Sequence, residues 1–150
     1  MNLPEANDLS KILATLCGDD VDLTLTEKSD FPGERTWGSI IIDDDGEPIG
    51  AILADLDASV NFGGKMMMIP PSTFAEQIEE NEAGEAVIEA CSEVFNNLTS
   101  AINRVPGNKH VRSRPADLSS ALVGSEPWLA ESKGGQYGGS DGSIFIYYRG

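Results

Sequence analysis

At 150 residues and 40% apolar, the chain is long enough for one domain with a sizeable core, and its composition carries no sign of disorder. A formal net charge of −15 argues against nucleic acid, because a phosphate backbone would be repelled by most of such a surface. No apolar run reaches the length of a membrane span, and the N-terminal MNLPEANDLS lacks the basic start and apolar centre of a signal peptide, so the expectation is a cytoplasmic protein with no membrane partner.

Leu9, Ile12, Leu13 and Leu16 space as a helix, capped by Asn7 or Asp8 and stopped at Gly18. Residues 20–26 then alternate strictly, with Val21, Leu23 and Leu25 on one side and Asp22, Thr24 and Thr26 on the other, which is the pattern of a half-buried strand. A polar loop containing Pro-Gly spans 28–35. Residues 37–42 and 49–56 read as two further strands, and the Asp-Asp-Asp-Gly-Glu-Pro between them has the chemistry of a hairpin turn. The acidic run also resembles a calcium loop, but the EF-hand pattern needs more ligands and a closing Glu at the right distance.

Asp57 has the look of a cap for a short helix carrying Ala58, Val60 and Phe62 up to a break at Gly63-Gly64. The period leaves 66–69 open between helix and strand, and its methionines suit core filling. Pro70-Pro71-Ser72 opens an acidic helix with Glu76, Glu79, Glu80 and Glu82, and Gly84 separates or kinks it from a long helix over 85–105. Pro106-Gly107 ends that helix. Residues 109–114 alternate as a strand, 118–123 are ambiguous, the Gly-rich stretch 134–142 reads as a loop, and 143–149 is a strand dense in β-formers. Strands and helices come in blocks without a dividing linker. That order predicts a single α+β domain, with an extended, mostly antiparallel sheet packed against two or three helices.

Acidic residues concentrate before Arg104, whereas Arg104, Lys109, His110, Arg112 and Arg114 make a local basic stretch. Such a stretch either meets a phosphate or acidic partner or neutralises its own acidic neighbours, and the second reading is preferred. Cys17 and Cys91 both fall on apolar helical faces, as free buried thiols do in a reducing compartment. One histidine and no close cysteine pair leave no basis for a zinc site, and nothing places His110 beside a nucleophile. The Gly-rich stretch lacks the Lys-Ser/Thr step of a phosphate cradle.

The long helix is the informative element. At ~100° per residue, Val87, Cys91, Val94, Leu98, Ile102 and Val105 share one stripe, while Glu89, Glu93, Asn96, Ser100 and Asn103 share the other. A merely solvated face favours Lys, Glu, Gln and Arg. This one has no basic residue before Arg104 and repeats Asn, a poor helix former, which suggests that the stripe meets something. Glu93 and Asn96 are neighbours on it. A carboxylate can hold a lysine by a charge-assisted bond, and an amide can both donate and accept, so it can aim a water molecule. Asn97 offers a second candidate amide, and Phe95 lies at the stripe's edge, open to a core or interface role.

The order of elements and the Glu93-Val94-Phe95-Asn96 step in mid-helix, followed by Ser113-Arg114-Pro115, make residues 37–115 resemble the CheC/CheX family of chemotaxis phosphatases. The single Glu-x-x-Asn is similar to the CheX type rather than the two-site CheC type, and Ser100 stands where family members usually carry Gly. The resemblance implies hydrolysis of the aspartyl phosphate on a response-regulator receiver domain. Glu93 would anchor a receiver lysine and Asn96 would direct water. Glu89, Asn97, Ser100 and Asn103 would complete the partner-binding face. The protein would have no cofactor of its own, magnesium being supplied by the receiver, and a homodimer is left open. Two other classes remain: a binding module of this fold that grips a signalling partner without hydrolysis, and a small acidic chaperone of the type III secretion class. The terminal strand 143–149 counts against the chaperone, because those proteins usually finish on a helix.

Overall fold

The computed structural model describes residues 2–29, 36–70, 72, 73, 76, 77 and 85–149. Among these, seven strands form one antiparallel sheet, and helices cover both of its faces. The strands are β1 (Thr24–Ser29), β2 (Thr36–Ile42), β3 (Pro48–Asp55), β4 (Arg112–Ser113), β5 (Asp117–Leu118), β6 (Lys133–Gly139) and β7 (Gly142–Tyr148). Their order is β1-β6-β7-β3-β2-β4, with β5 also pairing β2. The helices are α1 (Ala6–Cys17), α2 (56–66, with a π-helical centre at Ser59–Gly63), α3 (Glu85–Arg104) and α4 (Ser119–Ser125), the last followed by a 3₁₀ turn, Pro127–Glu131.

All seven residues of β2 are buried. That follows from burial on both faces, where a continuous apolar run replaces alternation. Trp37 and Ile41 of β2, Ile52 of β3 and Ile146 of β7 face α1, α2 and α3 in the larger core. Ile40 and Ile42, with Leu53, Phe145 and Tyr147, turn the other way under Leu122 and Leu129. Phe145 and Tyr147 stack at 6.2 Å between ring centroids.

The α+β class and the antiparallel sheet agree with the sequence, as does the 43–48 hairpin, whose Gly46 has φ of +81°. Several details correct it. The first strand begins at Thr24 rather than at 20, and the strand expected over 109–114 shrinks to Arg112–Ser113. The ambiguous stretch 118–123 is the end of β5 and most of α4. At α1, the capping position is Glu5 rather than Asn7 or Asp8, while Gly18 stops the helix in the left-handed conformation expected. The α2 cap is Asp55, not Asp57: its Oδ1 accepts from the Ala58 N–H at 2.9 Å.

Gly63-Gly64 does not break that helix, which runs on to Met66. A Cβ at Gly63 would lie 2.8 Å from the Val87 carbonyl oxygen, so the missing side chain lets α2 lie against α3. The largest correction is the Gly-rich stretch, which is not a loop but the interior strand β6, between β1 and β7. A Cβ at Gly134 would run into the Ile146 carbonyl, one at Gly135 would come within 2.6 Å of Leu25 Cδ1, and one at Gly139 within 2.7 Å of the Asp22 oxygen. These glycines let neighbouring chain pack closely on the strand, and the one large side chain among them, Tyr137, is fully buried and donates its hydroxyl to the Pro4 carbonyl at 2.7 Å. Residues 30–35 of the expected polar loop lie outside the described residues, as does most of the acidic helix expected after Pro70; its residues 72, 73, 76 and 77 are helical.

Candidate functional site: the polar face of the long helix

The helix α3 is held by its apolar stripe. Val87, Cys91, Val94, Leu98 and Ile102 are buried as the spacing predicts. Phe95 is fully buried too, which makes it core and not interface. The polar side is therefore fixed in direction, and it divides into three parts.

The outward part holds Glu89, Glu93 and Asn96, all exposed. The Asn96 Oδ1 accepts from the Ser113 hydroxyl on β4 at 3.5 Å, a long bond, and its Nδ2 has no partner among the described residues. The Glu93 carboxylate receives only a 3.4 Å contact, to Oε1 from the Asn97 amide, among the described residues. A carboxylate and an amide thus stand one turn apart in the open, on a helix that cannot rotate without unpacking its core.

A second part fastens the chain that follows the helix. Asn103 grips Val111 at both ends: its Nδ2 donates to the Val111 carbonyl at 3.0 Å, and its Oδ1 accepts from the Val111 N–H at 2.8 Å. Four residues beyond the Ser113 contact's partner in the other direction, Ser92 Oγ accepts from the Ala116 N–H at 2.8 Å. Asn103, Asn96 and Ser92 thereby stitch residues 111–116 along α3, which puts β4 beside Asn96.

The third part faces α1. Asn97 and Ser100 are half-buried, and with Arg104 they form one wall of a groove of about 330 Å³. Asn97 spends its amide mainly on the Glu93 carbonyl, at 2.8 Å, and Ser100 donates to the Asn97 carbonyl at 2.6 Å. Of the six residues singled out from sequence, then, the structure places Glu89, Glu93 and Asn96 together in the open, sends Asn97 and Ser100 to the groove, and commits Asn103 to Val111.

Sequence reasoning missed Ser92, Ser113 and the groove's other wall on α1. Alternation in 109–114 does put Ser113 on the same side as the inward Val111, a usable signal. Nothing local marks Ser92 or α1 as neighbours of the site, because that follows only from packing.

The basic stretch turns mostly to its own acids. Lys109 lies 3.8 Å from Asp43, His110 Nδ1 lies 2.8 Å from Asp44, and Arg114 lies 3.7 Å from Glu126. Glu126 also accepts from the Trp128 indole N–H at 2.8 Å, and Arg149 sits over the Trp128 ring. Cys91 is buried and its thiol is pushed up to about 12 by desolvation; the half-buried Cys17 is raised for the same reason. No group of three or more His, Cys, Asp or Glu able to hold a metal ion occurs among the described residues, and no described helix is long and apolar enough to cross a membrane.

No family model matches the chain, and no curated protein matches it in sequence. Its architecture is nevertheless shared with solved structures: the fold is of the CheC/CheX type, an antiparallel sheet with its long helix on one face. Similar structures include Thermotoga maritima FliY, at TM-score 0.58 and 13% identity over 97% of this chain and 84% of that one, and the CheX–CheY–BeF3–Mg²⁺ complex from Borrelia burgdorferi, at 0.54 and 12% over 96% and 94%. A CheC-like superfamily protein from Shewanella sp. PV-4 is 15% identical over the full length of both chains, with a TM-score of 0.46.

Proposed function

We propose that this protein acts on a phosphorylated response-regulator receiver domain in chemotaxis-type signalling, hydrolysing its aspartyl phosphate. The observation that carries the reading is the exposure of Glu93 and Asn96 side by side on the outer face of α3, within a CheC/CheX-type fold. Asn96 is also the helix asparagine whose amide is least used by the chain itself. Asn97 donates to a backbone carbonyl and Asn103 makes two bonds to Val111, whereas Asn96 has one long contact. One solved neighbour is a CheX–CheY complex, which suggests the class of partner.

In this reading Glu93 accepts a charge-assisted bond from a receiver lysine and fixes the docking register. The Asn96 carbonyl accepts a hydrogen from water and leaves the water's lone pair aimed at phosphorus, in line with the aspartyl oxygen. The new P–O bond forms as the bond to the aspartyl oxygen breaks, giving inorganic phosphate and a free carboxylate, and the water's proton passes to phosphate or solvent. Such positioning is most of what phosphoryl transfer needs from a protein. Magnesium, belonging to the receiver, would neutralise charge on the phosphoryl oxygens.

The test is the rate at which a labelled phospho-receiver loses phosphate with and without the protein. The acceleration should vanish in Asn96→Ala, a loss of about 100-fold for a removed positioning group, and be weakened in Glu93→Ala through poorer binding. If the protein binds the receiver and neither variant changes the decay, it is a non-catalytic binding module instead.

A further inference from the structure

We infer that the groove between α1 and α3 is a second contact surface for the same partner, which seats an acidic segment of the receiver domain alongside the Glu93–Asn96 pair. This rests on the receiver reading above, and adds where and by what chemistry the partner is selected. Lys11 of α1 and Arg104 of α3 both line the groove. Both are exposed, and among the described residues neither has a carboxylate within ion-pairing distance. Arg112, Lys133 and Arg149 are likewise without a carboxylate partner among the described residues, whereas Lys65, Lys109 and Arg114 have one; what sets Lys11 and Arg104 apart is that they line one groove together. One acid, Asp8, also lines the groove, and it leaves the two cations in excess.

The groove reaches the edge of the proposed site at Asn97, although Glu93 and Asn96 do not line it. The N-terminal segment is tied to the end of α3, with Asn2 N–H donating to Asn108 Oδ1, so α1 runs antiparallel to α3. Its far end therefore comes level with Asn97, whose amide contacts Glu93. Ile12 and Leu16 give the floor an apolar strip between the polar walls. A partner held at Glu93 by a lysine and at the groove by carboxylates would be read by a pattern of both signs, which rejects partners of uniform charge.

The experiment is titration of the full chain against receiver domains of its own organism, loaded with beryllofluoride and magnesium, at two salt concentrations, paired with the dephosphorylation assay. Lys11→Glu/Arg104→Glu should raise Kd at least 10-fold and flatten its salt dependence, with turnover at saturating receiver unchanged. Lys11→Gln/Arg104→Gln, which avoids adding acid near the helix end, should raise Kd about 3-fold. Lys133→Glu, a charge reversal on β6, should leave Kd alone. If both groove variants bind as the wild type does while Asn96→Ala still stops hydrolysis, the groove inference is overturned and the receiver reading survives. If the wild type neither binds nor dephosphorylates any receiver, both fall.

Discussion

Asn103→Ala separates a structural asparagine from a partner-facing one, and its cost can be worked from the geometry. The side chain satisfies the N–H and the C=O of Val111 at 2.8 and 3.0 Å, and Val111 is 1% exposed. Truncation leaves both backbone groups without their partner, at about 1–3 kcal/mol each when water cannot reach them. Asn103 itself is half-buried, so water entering the space left behind would recover part of the loss. A net destabilisation of about 2–3 kcal/mol follows. For a chain of this length that lowers Tm by roughly 4–12 °C. Urea unfolding gives the free energy, with the slope unchanged if only the native state is affected. Asn103→Asp provides the internal check: it keeps the acceptor for the Val111 N–H but turns a carboxylate oxygen toward the Val111 carbonyl in the last turn of the helix, so it should not restore wild-type stability. A loss below about 0.5 kcal/mol in Asn103→Ala would refute the clamp and return Asn103 to the partner-binding face. Because the clamp holds β4 beside Asn96, the same variant should also lower the proposed dephosphorylation more than the proposed receiver binding.

Gly134→Ala places a Cβ against the Ile146 carbonyl inside the sheet, and should cost about 3 kcal/mol or more, read as lost soluble yield or a strongly lowered urea midpoint. Ser39→Ala should be neutral or stabilise by up to about 1 kcal/mol in the same assay, because the Ser39 hydroxyl is fully buried without a hydrogen-bond partner among the described residues. With its thiol near 12, Cys91 carries roughly one thiolate in 10⁴ at pH 8, so native protein should leave it unalkylated while denatured protein reacts at both cysteines; modification of Cys91 in the native state would contradict its burial. The same raised thiol fixes the sign of a pH effect: the unfolded chain ionises first, near 9, so this contribution to stability is complete below 9 and is lost as pH rises toward 12.

The fold was legible wherever one residue pattern had one physical meaning. The apolar stripe from Val87 to Ile102 and the Asp-Gly turn at 43–48 needed no knowledge of neighbours, and both stand in the structure. The strand β6 was illegible because its glycines answer to other elements. Gly134 makes room for Ile146, and Gly139 for Asp22, each far enough along the chain that the local sequence shows only turn-like composition. The passage of α2 through Gly63-Gly64 has the same cause, since Gly63 makes room for Val87 on α3 and does not mark a break.

The candidate site was legible as a face but not as a division of labour. Repetition of Asn on α3 suggested a face that meets something. For Asn103 that something is the chain itself, and for Asn97 it is largely the helix's own backbone. A helix can tolerate a poor former such as Asn where the amide returns the cost by bonding, and at these two positions it does. Asn96 has no such return beyond a 3.5 Å contact with Ser113, while lying exposed one turn from Glu93. A residue unfavourable to its helix and little used by its fold keeps its amide free to meet another molecule. On that argument Asn96→Ala should leave the urea midpoint within about 0.5 kcal/mol of wild type, or raise stability slightly, while removing the dephosphorylation it is proposed to support. A destabilisation like that of Asn103→Ala would place Asn96 among the structural amides and leave the outer face of α3 without a reactive group.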